Sequence, residues 1–299
     1  MTAPAKVVAL QPRRGPVRAA LVSLRPRQWS KNLLLFAGII FAAKLGDAGR
    51  WAEAGAIFVA YCGASSAAYL VNDLRDAADD RLHPVKRDRP LARGELQPER
   101  ALVLAATLAG AALAIAAALG FASLLFLLGF VALQLAYSLG LKRIVLVDVS
   151  VIAGLFVIRA AAGAAAVDVR ISPWLLVCTA LLALFLGLAK RRGELVLVNA
   201  EEAPGRPALG GYSLRLVDRL LSVVAVATTG AYAAYAVTAH SAWMALTIPF
   251  VVAGLGRYLV LVHRHDLGEE PEQLLLADRV ILTTVAAWAL SAAVVLSVT

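Results

Sequence analysis

The chain has 299 residues, of which 61% are hydrophobic and only 16% are charged, and its net charge is +9. An ordinary soluble domain carries about 25% charged residues, and a soluble fold of this length has too little interior to bury so many apolar side chains. The composition excludes a disordered chain, a disulfide-stapled secreted module and a typical DNA-binding domain. It indicates a protein whose surface faces the apolar interior of a bilayer.

Apolar segments of about 20 residues, the length that crosses a bilayer as a helix, recur along the chain. They predict nine transmembrane helices at about 32–49, 53–72, 101–119, 121–140, 145–166, 172–190, 216–238, 241–262 and 279–298. Residues 1–24 lack the apolar stretch of a cleaved signal peptide and are predicted to form a cytoplasmic tail. The remaining residues, 25–299, are predicted to form a single, all-α polytopic membrane domain around a cytoplasm-facing cavity.

The basic residues are distributed unequally between the two sides of the predicted bundle. With the N-terminus in the cytoplasm, 25 of the 29 Lys and Arg residues fall in cytoplasmic segments and three in outer loops. Such an excess is typical of cytoplasmic loops, and it predicts long cytoplasmic loops at 73–100 and 191–215. The positive charge therefore indicates orientation in the cell membrane rather than binding to nucleic acid.

Four residues whose side chains offer hard oxygen ligands lie at the end of the second predicted span or just after it. They belong to the segment YLVNDLRDAADDRLHPVKRDRPLARGEL at 69–96. On a helix, Asp73, Asp76 and Asp80 share one face, and Asn72 borders it. Mg²⁺ prefers such ligands together with substrate phosphates, and a cation relieves the repulsion between carboxylates one turn apart. We predict that the three aspartates bind Mg²⁺, supported by Asn72. A solvated acidic helix end is the alternative.

Basic side chains on the same predicted side of the membrane are candidates to hold the phosphates of a metal-bound donor. These candidates are Lys31, Lys86, Arg89, Lys142, Lys190 and Arg191. Membrane orientation and contact with anionic headgroups are the alternative roles for such residues.

Two ionisable residues lie within the fifth predicted span, where such groups usually face a cavity or a partner. Asp148 is a candidate ligand of a second metal or of a sugar hydroxyl, with a structural role beside a nearby cation as the alternative. Arg159 is a candidate for the floor of the cavity. The two are about 16 Å apart on a helix, so they do not pair with each other.

These segments resemble the UbiA superfamily of intramembrane prenyltransferases, and within it the decaprenyl-phosphate phosphoribosyltransferases. Besides 69–96, the resemblance rests on RPRQWSKNLLLFAGIIFA (25–42), AYSLGLKRIVLVDV (136–149), FVIRAAAG (156–163), SPWLL (172–176), AKRRGEL (189–195), GRYLVLVHR (256–264) and PEQLLLADR (271–279). Aromatic prenyltransferases of this superfamily carry a second Asp-rich motif after the sixth span. Residues 189–195 are instead basic, with the single acidic residue Glu194, which suits a donor carrying one diphosphate and a further phosphate.

The resemblance implies a UbiA-like domain over 25–299 that uses Mg²⁺ to transfer 5-phosphoribose from phosphoribosyl pyrophosphate to a polyprenyl phosphate. It further implies a role in making precursors of arabinose-containing cell-wall polymers, and an acceptor that reaches the site through the bilayer. Two alternatives stay open: a prenyltransferase that uses a prenyl diphosphate and another acceptor, and a non-catalytic transporter of lipid or phosphate. Self-association to a homo-oligomer also stays open.

Overall fold

The computed structural model describes residues 13–41, 46–82, 86–170, 172–201, 207–238, 242–265, 274 and 277–298. Within these residues every regular element is a helix. In chain order, the α-helices are α1 (Pro16–Ser23), α2 (Ala37–Phe41), α3 (Ala48–Arg75), α4 (Ala77–Leu82), α5 (Pro98–Ala118), α6 (Phe121–Leu139), α7 (Val147–Ala166), α8 (Pro173–Glu201), α9 (Leu214–Thr238), α10 (Ile248–His265) and α11 (Arg279–Val298). Short 3₁₀ helices connect several of them.

Seven helical segments in the described ranges are long and apolar enough to cross a bilayer. They are α3, α5, α6, α7, the Pro173–Leu197 part of α8, α9, and α10 with the 3₁₀ turn before it. These segments match the predicted spans two to eight, so the all-α membrane fold class is confirmed. The ninth predicted span coincides with α11, whose apolar stretch Arg279–Val295 is shorter, and the count of nine stays a prediction.

The first predicted span, 32–49, is not a uniform α-helix where the structure describes it. Residues Pro26–Phe36 form a 3₁₀ helix, α2 follows, and residues 42–45 lie outside the described ranges. A 3₁₀ helix of this length is uncommon because its hydrogen-bond geometry is poorer than that of an α-helix. The segment packs closely against α7, where a Cβ on Gly163 would overlap the carbonyl oxygen of Leu35.

The predicted loop at 191–215 begins later than expected, because α8 continues to Glu201. Arg191 and Arg192 look like the start of a loop in the sequence, yet both lie inside the helix and are buried. Each pairs with a carboxylate, Arg191 with Asp148 and Arg192 with Asp218. Such pairing allows charged side chains to continue a buried helix. Residues 202–206 of the predicted loop lie outside the described part of the chain.

The chain divides into two compact units, Met1–Ser30 with Ala60–Ala114, and Lys31–Val59 with Ile115–Thr299. The core of the first unit includes Ala19 of α1, packed with residues such as Leu70 and Leu91. The segment expected to be an N-terminal tail therefore contributes a helix to this core. The main core of the second unit joins residues of α7, α8, α9 and α10, among them Phe185, Leu221 and Tyr258.

Candidate functional site

The predicted acidic cluster lies at the end of α3 and in α4. The N–H of Asp76 donates to the carbonyl of Asn72, and the N–H of Asp80 donates to that of Asp76, each at 2.9 Å. These bonds carry the helical register across the junction between α3 and α4, within the segment 73–100 that was expected to be a loop. Asp73 and Asp80 are buried, whereas Asn72 is half-buried.

One arginine joins the two buried carboxylates of this cluster. Nη1 of Arg89 lies 3.0 Å from Oδ1 of Asp73 and 2.7 Å from Oδ2 of Asp80. Nη2 of Arg25 donates to the same Asp73 oxygen at 2.6 Å, and the Arg25 guanidinium lies 4.8 Å from the centroid of the Tyr69 ring. Because burial of an unpaired carboxylate is strongly unfavourable, these guanidiniums stabilise both aspartates.

Asp76 differs from the other two aspartates. Its side chain is 26% exposed, and its Oδ1 lies 3.3 Å from Nε of the adjacent Arg75. Among the described residues, no group of three or more His, Cys, Asp or Glu side chains is placed to hold a metal ion. Asp73 and Asp80 meet at one positive group and Asp76 does not, so the binding of a metal by all three stays a prediction.

A cavity of about 290 Å³ opens beside this cluster. Its charged lining consists of Arg25, Asp73, Lys86, Asp88 and Arg89, and its apolar lining includes Val22 and Pro90. Three cations and two carboxylates around one small cavity are the groups that bind a polyphosphate and the divalent cation that accompanies it. Of the predicted phosphate ligands, Lys86 and Arg89 are the two that line this cavity.

A second charged cluster forms around Asp148 in the first turn of α7. Nε of Arg191 lies 2.7 Å from Oδ2 of Asp148, an ion-pair contact that lacks hydrogen-bond geometry, and Arg191 also pairs with Glu194. The side chains of Asp148 and Arg191 are only 1% and 2% exposed. Two roles were considered for Asp148, that of a ligand and that of a structural partner of a nearby cation. The ion pair with Arg191 is the contact expected for the structural role.

Tyr212 completes this second cluster, although no sequence motif identifies it. Its hydroxyl donates to Oδ1 of Asp148 at 2.6 Å and accepts the N–H of Leu146 at 2.8 Å. Burial, followed by the hydrogen bond to Asp148, raises the pKa of Tyr212 above its ordinary range, so the phenol stays neutral and donates. In the sequence, Tyr212 falls within a segment predicted only as a loop.

The backbone at Leu146 is strained. Leu146 has φ +65° and ψ −34°, a combination that side chains with a Cβ rarely adopt and that costs about 1–3 kcal/mol. The hydrogen bond from its N–H to Tyr212 holds this turn in place. Strain of this kind persists only where surrounding contacts fix it.

Arg159 is buried inside α7 and is held by protein groups. Its Nε donates to Oδ1 of Asn32 at 2.8 Å, and its Nη1 donates to the carbonyl of Leu155 at 3.0 Å. The guanidinium lies 4.6 Å from the centroid of the Phe130 ring and 5.3 Å from that of Phe156. The expectation that an ionisable residue in this span faces a partner is thus met by Asn32 and two aromatic rings.

The remaining predicted phosphate ligands are half-buried. Lys31 lies in the 3₁₀ helix Pro26–Phe36, Lys142 in the 3₁₀ turn Leu141–Arg143 before α7, and Lys190 in α8 next to Arg191. Their binding to phosphate stays a prediction.

Comparison with known proteins shows which family this chain resembles in sequence. The family model described as the UbiA prenyltransferase family matches residues 33–282. A protein named decaprenyl-phosphate phosphoribosyltransferase from Mycolicibacterium smegmatis is 37% identical, and the match covers 93% of each chain. A protein of the same name from Mycobacterium tuberculosis is 36% identical over 94% of this chain and 95% of the relative.

Solved structures show the same fold. A UbiA homolog from Archaeoglobus fulgidus bound to DMAPP and Mg²⁺ superposes with a TM-score of 0.72 at 20% identity, covering 94% of this chain and all of that one. The same homolog bound to GPP and Mg²⁺ gives a TM-score of 0.70 at 19% identity, covering 91% and 96% of the two chains.

Proposed function

Since the chain belongs to the UbiA prenyltransferase family, we propose that it transfers 5-phosphoribose from phosphoribosyl pyrophosphate to a polyprenyl phosphate, such as decaprenyl phosphate. The observation that carries this proposal is that four relatives, 32–37% identical over 93–94% of this chain, bear the name decaprenyl-phosphate phosphoribosyltransferase. An oxygen of the acceptor phosphate forms the bond to C1 of the ribose, and the bond from C1 to pyrophosphate breaks.

The acidic cluster of the first unit fits a divalent cation. Asp73 and Asp80 provide hard oxygen ligands and converge on one positive group, the Arg89 guanidinium. We assign Mg²⁺ to these two residues, with Asp76 and Asn72 as its further predicted ligands. When bound, Mg²⁺ would neutralise the diphosphate and stabilise the leaving pyrophosphate.

The residues themselves have mainly to position the substrates and stabilise charge. The acceptor phosphate is already anionic, so no general base is needed to create the nucleophile. We assign donor phosphate binding to Arg25, Lys86 and Arg89, because their side chains line the 290 Å³ cavity beside Asp73. Charge-assisted hydrogen bonds from these cations favour the departure of pyrophosphate.

Roles in the second unit follow from burial. Arg191, Asp148 and Arg159 have their charged groups buried against other protein groups. We therefore assign them positioning roles rather than direct contact with phosphate. Lys31, Lys142 and Lys190 stay candidates for binding a phosphate of the donor or of the acceptor.

The membrane arrangement is part of the proposal. We place the N-terminus and the site on the cytoplasmic side of the cell membrane, because 25 of the 29 basic residues follow that orientation. Residues 32–49 and α11 are taken as the first and ninth spans. The polyprenyl tail then reaches the site laterally from the bilayer, since so apolar a chain gains nothing by leaving it.

The test is incubation of the detergent-solubilised protein with labelled phosphoribosyl pyrophosphate, Mg²⁺ and polyprenyl phosphates of several lengths. Mass spectrometry of the lipid fraction should show a phosphoribosylated lipid, and EDTA should abolish its formation. Failure to form this lipid while a prenyl diphosphate is consumed would overturn the proposal.

That second outcome corresponds to a prenyltransferase, which is favoured by the ligands named for the Archaeoglobus fulgidus structures, GPP and DMAPP. The residues at the end of the sixth predicted span argue against a prenyltransferase. There the chain has Arg191 and Arg192, both paired with carboxylates, and Glu194 as the one acidic residue of 189–195. Aromatic prenyltransferases have an Asp-rich motif at this position.

A further inference from the structure

Two consecutive residues fasten the segment before α9 to the turn before α7. At Gly211, a Cβ would overlap Cγ2 of Val145, so any larger residue there would force one of the two segments or the Val145 side chain to shift. At Tyr212, the hydroxyl reaches the backbone of Leu146, the next residue along that turn. The two segments are thus joined by steric fit and by a hydrogen bond.

The Tyr212 hydroxyl uses both of its hydrogen-bonding functions at this junction. As an acceptor it takes the N–H of Leu146, whose φ of +65° is unfavourable for a residue with a Cβ. As a donor it makes a hydrogen bond to Oδ1 of Asp148, whose other oxygen lies against Arg191. One hydroxyl therefore fixes both a strained turn and the orientation of a buried carboxylate.

We propose that Tyr212 is a positioning residue of the transfer reaction, acting through Leu146 and Asp148 rather than by touching substrate. By orienting Asp148, it sets the Arg191–Glu194 pair on α8, and by fixing Leu146 it sets the turn that follows Lys142. Groups that orient the ligands of a metal typically change affinity or activity about 10- to 100-fold, and we expect an effect of this order for a group that orients a buried ion pair. The kinetic part of this inference rests on the proposed function, whereas the structural part does not.

The alternative is that Tyr212 only fills space. Its ring is 7% exposed and packs in the main apolar cluster of the second unit, together with Leu209 and Val217. Tyr212→Phe separates the two roles, because it removes the hydroxyl and keeps the ring.

Tyr258→Phe is the matched control. Tyr258 belongs to the same cluster and is 2% exposed, and its hydroxyl has no hydrogen-bond partner among the described residues. We expect Tyr212→Phe to lower kcat/KM for phosphoribosyl pyrophosphate about 10- to 100-fold, and Tyr258→Phe to leave it within about twofold of the unaltered protein. Equal effects of the two substitutions would overturn the proposal.

Two further variants test the route through which Tyr212 acts. Tyr212→Phe should lower the thermal midpoint, because it removes the hydrogen bond to the strained Leu146. Glycine adopts positive φ without strain, so adding Leu146→Gly should restore the midpoint while leaving kcat/KM low. Asp148→Asn turns a charge-assisted hydrogen bond into a weaker neutral one, so Tyr212→Phe should cost less activity in that background. An undiminished loss in the Asp148→Asn background contradicts action through Asp148.

A readout without substrate distinguishes failure of this inference from failure of the proposed function. Hydrogen exchange of a peptide spanning 141–148 should accelerate in Tyr212→Phe and stay unchanged in Tyr258→Phe, whether or not phosphoribose is transferred. Unchanged exchange in Tyr212→Phe would show that the hydroxyl does not hold the turn. If exchange accelerates and the unaltered protein fails to transfer phosphoribose, only the proposed function is wrong.

Discussion

The two charged clusters of the molecule both pair aspartates with arginines, and they differ in how far the arginine side chains are exposed. Around Asp73 and Asp80, the carboxylates are 3–4% exposed, but the arginines that bind them are 25–28% exposed and line a cavity. Around Asp148, both the carboxylate and Arg191 are 1–2% exposed. A guanidinium that is partly open can exchange a carboxylate for a phosphate, whereas a fully buried one has no such access.

The exposure of the cation therefore distinguishes a ligand-binding cluster from a positioning cluster. Substitutions in the first cluster should change transfer at nearly constant stability, and substitutions in the second should change stability first.

The largest effect is expected for Arg191→Met. It leaves the buried carboxylate of Asp148 without its cation, and breaking a buried ion pair from one side costs about 3–5 kcal/mol. Chemical unfolding in detergent should show a loss of this size. Arg219→Met, which removes an exposed arginine of α9, is the control and should be nearly neutral. Unchanged stability with a raised KM for the donor would instead make Arg191 a substrate ligand.

Asp73→Asn should abolish most of the transfer activity with little change in stability. The substitution keeps the shape but removes the charge that Arg25, Arg89 and the expected metal share, and we expect the rate to fall about 10²- to 10³-fold. Incorporation of labelled phosphoribose into lipid measures it. Asp79→Asn, which removes an exposed carboxylate of α4, is the control and should retain activity. If it loses as much activity as Asp73→Asn, Asp73 has no specific role in the reaction.

Arg89→Lys should have a smaller effect, mainly on the affinity for the donor. A lysine keeps the charge but lacks the planar guanidinium, whose Nη1 contacts both Asp73 and Asp80, and the loss of one charge-assisted hydrogen bond to the donor should raise KM about tenfold. Arg93→Lys on the same loop is the control, because Arg93 pairs with Glu95 and Asp88 and does not line the cavity. If kcat falls while KM stays constant, Arg89 acts on the reaction step rather than on donor binding.

The smallest effect is expected where both partners are exposed. Arg50 pairs with Glu53, and their side chains are 30% and 38% exposed. Arg50→Gln should change the free energy of unfolding by less than about 1 kcal/mol, as exposed ion pairs generally do. A larger loss in the unfolding experiment would show that exposure is a poor guide to the strength of ion pairs in this protein.

Local rules predicted much of this fold. The length of apolar segments located the spans that correspond to α3 and α5–α10, because crossing a bilayer requires about 20 residues whatever their partners. Asp73 and Asp80 both contact Arg89, whereas the binding of a metal by the three aspartates stays a prediction. Asp76 has suitable spacing, but α3 ends at Arg75 and α4 begins at Ala77, and the intervening residue pairs with its neighbour.

The features that were missed depend on partners far away in the chain. Arg25 lies 48 residues before Asp73, and Tyr212 lies 64 residues after Asp148. The end of α8 was placed too early because Arg192 resembles a loop residue unless its partner Asp218, 26 residues away, is known. Sequence periodicity reports which face of a helix is apolar, and it carries no information about which distant charge will meet that face.

The aromatic sandwich around Arg159 has a consequence for how the chain is assembled in the membrane. A lone arginine in the centre of a helix adds about 2.5–3.5 kcal/mol to the free energy of insertion. Here that residue is bonded to Asn32, 127 residues earlier, and stacked on Phe130 of the preceding helix. Biogenesis of α7 is thus coupled to segments that have already left the ribosome, and its release into lipid should be slowed when Asn32 is replaced by leucine.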